Sequence, residues 1–359
     1  MASVGHVRVV VVGASGNVGT AVLRALAREP VVTSIVGVAR RVPRADGSST
    51  VGFPHDAAEW VRVDLTDTAD AVVRGLDEAL AGADAVVHLA WASPATRSAE
   101  AQRRLNLGGT RAVVDAVLRQ HVRHLVLGST SGVYSPGPAD GSAVDESWPR
   151  RGVLTSTYSV QKAAVERMLD DVERDHPRLV VTRMRPALMF QREAGAELSR
   201  YFLGRLGTLA LRLAAKRAPT GTLLPVLPFP EGLRLQVLHA DDAADAYRAV
   251  IVGRHPGAFN LAPTGWLDGA GLARLLAGGR TFAVSPDLVR RGLAVASAAR
   301  LVPIDVGWFD MARADVVMDA SRARELLHWR PTRNPGDVLR ETVEGVLEGA
   351  SASTPPLAG

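Results

Sequence analysis

The chain has 359 residues and 38.0 kDa, 47% of them hydrophobic and 22% charged, which suits a globular protein of two domains or one enlarged domain and excludes a wholly disordered chain. The formal charge is +5, from 42 Lys+Arg against 37 Asp+Glu. Only Lys162 and Lys216 are lysines, and no block of like charge forms, which argues against a nucleic-acid tract and favours anionic small molecules. The absence of cysteine excludes disulfides, thiolate catalysis and cysteine metal sites, and fits a reducing cytoplasm.

In chain order, Val7 to Val12 is a continuous apolar run that reads as a central strand covered on both faces. A helix is expected from Asn17 to Arg28, a strand over Ser34 to Ala39, and a polar loop from Arg41 to about Asp56. Then come a short strand at Trp60 to Val63, a helix at Ala69 to Leu80 and a strand at Ala85 to Leu89. Arg97 to Arg119 reads as one long helix and His124 to Leu127 as the fifth strand. The alternation predicts an α/β fold, a Rossmann-type doubly wound parallel sheet, with a smaller and mostly helical C-terminal substrate-binding part. Further on, a loop covers Ser135 to Gly141, a helix Ser156 to Asp175 and a strand Leu179 to Arg183. Phe190 to Pro230 is helical and then proline-rich, as lids and substrate pockets often are. Leu235 to His239 is expected to return as a strand, with Asp241 or Asp242 capping a helix at Ala243 to Val252. The dinucleotide-binding domain is therefore drawn at 1–185 with 235–262 returning to it, and the substrate-binding part at 186–234 and 263–350; 351–359 reads as a frayed tail. No secretory leader or stretch of about 18 uncharged apolar residues is visible, so a cytoplasmic protein without membrane or nucleic-acid partners is expected.

Gly13-Ala14-Ser15-Gly16-Asn17-Val18-Gly19 directly follows the first strand and opens the first helix. Glycines at this spacing allow a tight turn, close approach of backbone to a pyrophosphate and close helix–strand packing, while the helix N-terminus presents N–H groups to phosphate. At the end of the second strand an NAD site wants an acid for the ribose 2′-hydroxyl, yet no acid occurs between Thr33 and Pro43. The strand ends in Arg40-Arg41, and a guanidinium pairs bidentately with a 2′-phosphate, so NADP(H) is the preferred cofactor and NAD(H) the second choice. Asp64 is placed to cap adenine, with Leu65 packing on its face.

Tyr158 and Lys162 stand four residues apart and share one helix face. A nearby cation favours the phenolate, so this tyrosine is expected to exchange a proton near neutral pH, and the lysine can also hold the nicotinamide ribose. Ser129-Thr130-Ser131 follows the fifth strand at the carboxyl edge of the sheet, where a hydroxyl can steady a substrate oxygen; the residues alone leave the choice among the three open.

Together these residues resemble the extended short-chain dehydrogenase/reductase family, also called the NAD-dependent epimerase/dehydratase family, over nearly the whole chain. Gly13 to Gly19 is similar to its GxxGxxG, Val63-Asp64-Leu65-Thr66-Asp67 to its adenine segment and His88-Leu89-Ala90 to the end of its fourth strand. Asn106-Leu107-Gly108-Gly109-Thr110 resembles its NxxGT helix, Ser129 to Tyr134 its S-[ST]-x-x-V-Y element and Tyr158…Lys162 its YxxxK. Arg185-Pro186, Leu238 to Ala246 and Trp329-Arg330-Pro331 look like its later signatures, with His328 replacing the usual Gly. The resemblance implies Tyr158 as acid/base, Lys162 as the residue that lowers its pKa and binds ribose, and Thr130 as the orienting hydroxyl with Ser131 in reserve. It also implies cofactor contacts at Leu89, Ala90, Ser129 and Pro186, and a homodimer formed through the helices at 97–119 and 156–175. Ala187 to Gln191 and Leu223 to Phe229 depart from the segments of nucleotide-sugar enzymes, and Ser131-Gly132 stands where dehydratases carry an acid pair.

Three functions follow as alternatives: an NAD(P)-dependent oxidoreductase of a secondary alcohol or ketone of a small molecule, a nucleotide-sugar epimerase/dehydratase that retains its cofactor, and a cofactor-binding regulator without turnover. The apolar departures favour the first. His88 reads as a core or cofactor-adjacent residue, His121 and His124 flank the fifth strand without carboxylates at ligand spacing, and Asp241, Asp242 and Asp245 read as cap residues, so no metal site is expected.

Overall fold

The computed structural model describes residues 6–43, 52–92 and 98–352. Half of the expected 41–56 loop, the first residue of the expected 97–119 helix and the end of the tail lie outside them. The elements in order are β1 (Val7–Val12), α1 (Asn17–Ala27), β2 (Val32–Ala39), β3 (Glu59–Arg62), α2 (Ala69–Leu80), β4 (Ala85–His88), α3 (Ala99–Arg103), α4 (Thr110–Arg119), β5 (His124–Gly128) and α5 (Thr157–Asp175). They continue as β6 (Val180–Pro186), β7 (Leu188–Phe190), α6 (Gly195–Leu198), α7 (Gly204–Ala215), β8 (Leu227–Pro230), β9 (Val237–His239), α8 (Ala240–Gly253) and β10 (Gly257–Leu261). The C-terminal part adds α9 (Gly269–Ala277), β11 (Thr281–Val284), α10 (Pro286–Ala298), α11 (Val306–Ala312), α12 (Ser321–Leu326) and α13 (Pro335–Glu348).

Seven parallel strands form the central sheet in the order β3-β2-β1-β4-β5-β6-β10. Period-two alternation explains why apolar runs suit it. Val9 and Val11 of β1 pack with Leu23, Leu26 and Tyr247 on the α1/α8 side, whereas Val10 and Val12 pack with Leu76, Val113 and Leu169 on the α2/α4/α5 side. Each such side chain contributes roughly 1.5–3 kcal/mol by leaving water. Strand order reverses between β1 and β4, so the carboxyl ends of these two strands flank the crevice where sheets of this type take ligands.

Three expectations need correction. The 235–239 segment does not enter the main sheet: β9 pairs with β7 in a separate two-stranded sheet, and the seventh place belongs to β10. The expected long helix changes pitch in its middle, where Arg104–Gly109 forms a π-helical turn between α3 and α4. There Thr110 Oγ1 donates to the Asn106 carbonyl at 2.6 Å, and a side chain at Gly109 would crowd Leu65. Neither Asp241 nor Asp242 caps α8: His239 Nδ1 accepts from the Asp241 amide at 3.0 Å. Asp241 instead pairs with Arg24 and Arg333, while buried Asp242 takes hydrogen bonds from Thr332 and the Arg333 amide. Trp329 donates to the Asp242 carbonyl at 2.7 Å, so the closing Trp-Arg-Pro segment docks on α8.

Candidate active site

At the switch between β1 and β4 the glycine loop turns sharply. Gly13 has φ +94°, and a Cβ there would lie 2.6 Å from the Ala90 amide nitrogen; one at Gly19 would strike the Gly13 carbonyl. Gly16 precedes α1, which has no side-chain cap, so its first-turn N–H groups are left for an anion. Gly13, Ser15, Gly16, Asn17 and Val18 line a cleft of about 930 Å³, as do Leu89, Ala90, Ser129 and Pro186. This lining fits a pyrophosphate-bearing group.

Arg40, Arg41, Asp64 and Leu65 line the same cleft at its β2/β3 end. Asp64 Oδ1 accepts from the Thr66 amide at 3.0 Å and the Thr66 hydroxyl at 2.7 Å. Burial pushes its carboxyl up, but the Thr66 hydrogen bonds and the nearby Arg40 and Arg104 outweigh that and hold it below the usual carboxylate range. Asp64 is thus an anion fixed beside Arg40.

Thr130, Ser131 and Tyr158 line the middle of the cleft. Thr130 hydrogen-bonds the Tyr158 hydroxyl and also accepts from the Gly132 amide at 3.2 Å. Tyr158 lies against Trp308, with ring centroids 4.7 Å apart, and against Trp91 at 6.0 Å. Burial raises its pKa above the ordinary phenol value, against the pull of Thr130. The expected lowering by Lys162 is not seen, because the ammonium faces elsewhere. Lys162 Nζ donates to the Gly128 carbonyl at 2.7 Å, lies 3.8 Å from the Trp91 ring centroid and is 6.0 Å from that of Tyr158. Lys162 is buried and Trp91 lines the cleft in its place. Burial brings the lysine pKa down to about 7, with Glu166 opposing the shift.

Sequence reasoning missed the layer beneath. Glu166, one turn beyond Lys162, is fully buried and takes two hydrogen bonds from Arg185, at 2.9 and 2.6 Å, and one from Ser129 Oγ at 2.6 Å. Burial pushes this carboxyl up, but Arg185 and Ser129 hold it below its usual range. The Ser129 hydroxyl is therefore committed to Glu166 and its amide to the Met184 carbonyl at 2.8 Å, which leaves its backbone carbonyl for the expected cofactor contact. Asn106 links the strand-four loop to α5: its Oδ1 accepts from the Ala92 amide at 2.8 Å and its Nδ2 donates to Gln161 Oε1 at 2.6 Å. The Tyr-x-x-x-Lys-x-x-x-Glu spacing was a readable signal for Glu166; nothing in the sequence pointed to Trp91.

Beyond Tyr158 the cleft becomes aromatic. Of the chain's six Trp, four Tyr and seven Phe, eight line it, including Phe190, Tyr201, Phe202, Trp308 and Phe309. Arg234 is the one cation among the described lining residues of this half, and Asp315 holds it in a two-point pair at 2.7 Å. Glu197, also lining it, is driven by burial to a pKa of about 7 against Arg200 and a Tyr201 hydrogen bond. Among the described residues no group of His, Asp and Glu could hold a metal ion, and no helix is long and apolar enough to cross a membrane.

The sequence model of the NAD dependent epimerase/dehydratase family matches residues 9–262, and the chain belongs to this family, one of enzymes with a nicotinamide dinucleotide cofactor. An uncharacterized protein of Mycobacterium tuberculosis is 29% identical over 262 residues, 72% of this chain; the match covers 63% of that relative, less than two thirds of its length. The fold is similar to that of UDP-glucose 4-epimerase from Thermus thermophilus in complex with NAD (20% identity, 96% of this chain and 99% of that one, TM-score 0.64). It is also similar to UDP-glucose-4-epimerase from Stenotrophomonas maltophila with bound NAD and formylated UDP-arabinopyranose (18% identity, 96% and 98%, TM-score 0.69).

Proposed function

We propose that the chain is an NAD(P)-dependent oxidoreductase that interconverts the ketone and secondary alcohol of an apolar small molecule. Tyr158 is its acid/base residue and NADP(H) its preferred cofactor. The observation that carries this reading is the position of the Tyr158 hydroxyl: bonded to Thr130, it stands where the glycine-loop cleft opens into an aromatic chamber whose one cation among the described residues, Arg234, is already neutralised. Among the described lining residues a diphosphate-linked sugar would find no free cation there, whereas an apolar ketone matches the lining.

The glycine loop and α1 would hold the pyrophosphate, Asp64 and Leu65 the adenine, and Arg40 a 2′-phosphate. When bound, the nicotinamide gives or takes the hydride. Tyr158, kept protonated by burial, donates its proton to the carbonyl oxygen during reduction, and Thr130 steadies the same oxygen. Lys162 contributes its charge from beneath once the Trp91 ring yields. Ser131 lines the cleft but has no bond to Tyr158 among those described, which supports Thr130 as the orienting hydroxyl. A cysteine-free chain suits a reducing cytoplasm.

The second reading, a nucleotide-sugar epimerase, draws on the family and on the NAD and UDP-sugar bound in the similar Stenotrophomonas structure. The two differ in cofactor exchange. Purified protein is denatured and any released nucleotide identified by mass spectrometry, and empty protein is titrated with NADPH and NADH. Empty protein that prefers NADPH by about tenfold or more, the worth of one charge-assisted pair, fits the oxidoreductase. Stoichiometric retained NAD⁺ fits the epimerase and removes the role given to Arg40. For assembly we propose a homodimer through α4 and α5, whose outer faces carry the pairs Arg111–Asp115 and Arg174–Asp171; a monomer mass in light scattering counts against it.

A further inference from the structure

Two helices beside the aromatic chamber carry apolar side chains on their solvent faces as well as on their inner ones. Neither α7 nor α10 has a buried residue. A helix on a globular surface normally turns its apolar stripe inward. On α7 the residues Leu206, Leu209 and Leu213, at i, i+3 and i+7, share one exposed face, with Leu209 54% accessible. On α10 Leu288 and Val295, also seven apart, are exposed at 64% and 69%, and Leu301 follows just beyond the helix.

The charge on these two helices is predominantly basic: α7 has no acid, and α10 has Asp287 in its first turn, while Arg290 is paired with Asp310. From Leu198 to Pro230 the chain has five basic residues and no acid, and from Leu288 to Ile304 three arginines and no acid. Arg205, Lys216, Arg291 and Arg300 are exposed and enter no ion pair among the described residues. The segment that follows α10 meets the start of α7, since the space beside Gly204 is closed by Pro303 and the Leu301 carbonyl. Leu293 of α10 lines the cleft, as do Leu203 just before α7 and Ile304 beyond α10.

We propose that the α7/α10 face is an interfacial docking surface for an anionic lipid bilayer, which seats the protein with the mouth of its aromatic chamber against the membrane. Leucines that enter the headgroup boundary, with arginine and lysine beside them for lipid phosphates, are the composition of helices that lie in an interface without spanning it. The expectation of no membrane partner rested on the lack of a spanning segment, which this surface does not need. Charge decides against a second copy as occupant, because the same basic face on a partner would repel it. The link to substrate rests on the reading of the chamber as apolar; the docking itself does not.

The test is co-sedimentation of the full chain with phosphatidylcholine vesicles and with mixed phosphatidylglycerol/phosphatidylcholine vesicles, with NADPH titration run in parallel. The expected result is binding to the mixed vesicles only, weakened by salt, lost in Leu209→Glu and reduced about tenfold in Arg205→Gln/Lys216→Gln. These side chains are exposed, so the variants keep wild-type NADPH affinity and melting temperature. No sedimentation with mixed vesicles overturns the proposal, as does binding unchanged by Leu209→Glu. A dimer that Leu209→Glu converts to monomer, without vesicle binding, also overturns it and assigns the face to a second copy. Since cofactor affinity is read separately, loss of the docking proposal leaves the oxidoreductase reading intact, and the converse holds.

Discussion

Tyr158 is held between Trp91 and Trp308 with Thr130 on its oxygen, and its chemistry follows from that setting. Burial keeps the phenol protonated, so Tyr158→Phe is expected to lower kcat for ketone reduction by about 10²–10⁴-fold while NADPH affinity stays unchanged. Steady-state kinetics with a parallel binding titration checks both halves. Lys162 supplies a sign for the pH profile. Its pKa is brought down to about 7, so it is charged below that value and neutral above it, and kcat/KM for reduction falls as pH rises through about 7. Because Glu166 opposes the lowering, Glu166→Gln moves this midpoint to lower pH; an unmoved midpoint would remove the lysine from the profile. Trp91 covers the ammonium, so NADPH binding is expected to change indole fluorescence, and Trp91→Phe to abolish most of that change.

The strand–glycine loop–helix unit was legible because each requirement is local: an apolar run, glycines at fixed spacing and a helical period. Its expected fragility is equally local. Gly13→Ala places a methyl group against the Ala90 backbone at positive φ, so loss of NADPH binding and a lower melting temperature are expected, read by titration and thermal unfolding. Where an element depends on distant partners, reading by period fell short. β9 has the composition of a core strand, but its partner is β7, because the chain leaves the main sheet after Pro186. The π turn at Arg104–Gly109 answers to Leu65 and the Asn106 clamp, neither of which shows in helical periodicity. His239 took the cap expected of Asp241 because two arginines claim that aspartate from other elements.

Across the whole molecule, the order of motifs was enough to read the doubly wound sheet and the Tyr–Lys helix, since both lie in regular structure. The aromatic chamber was not legible, because its walls come from β7, the turns around α6 and α11, segments far apart in sequence that meet only through tertiary packing. One property belongs to the fold as a whole. His88 and His124 are buried, each with Nε2 on a threonine hydroxyl, at 2.9 and 2.8 Å, and their pKa values are lowered by burial to about 3 and about 4. Between about pH 4 and 6 the unfolded chain binds these protons and the folded one does not. Stability therefore falls with decreasing pH, by about 1.4 kcal/mol per pH unit for each histidine. Denaturant melts across this range measure the slope, and His124→Gln should reduce it. The most direct test of the central claim is a hydride-transfer assay that follows NADPH oxidation by wild type and Tyr158→Phe with apolar aryl ketones, alongside UDP-glucose with NAD⁺. The account predicts that wild type oxidises NADPH with an aryl ketone, that Tyr158→Phe does not, and that UDP-glucose is untouched. Conversion of UDP-glucose to its C4 epimer, with no ketone reduced, would contradict it.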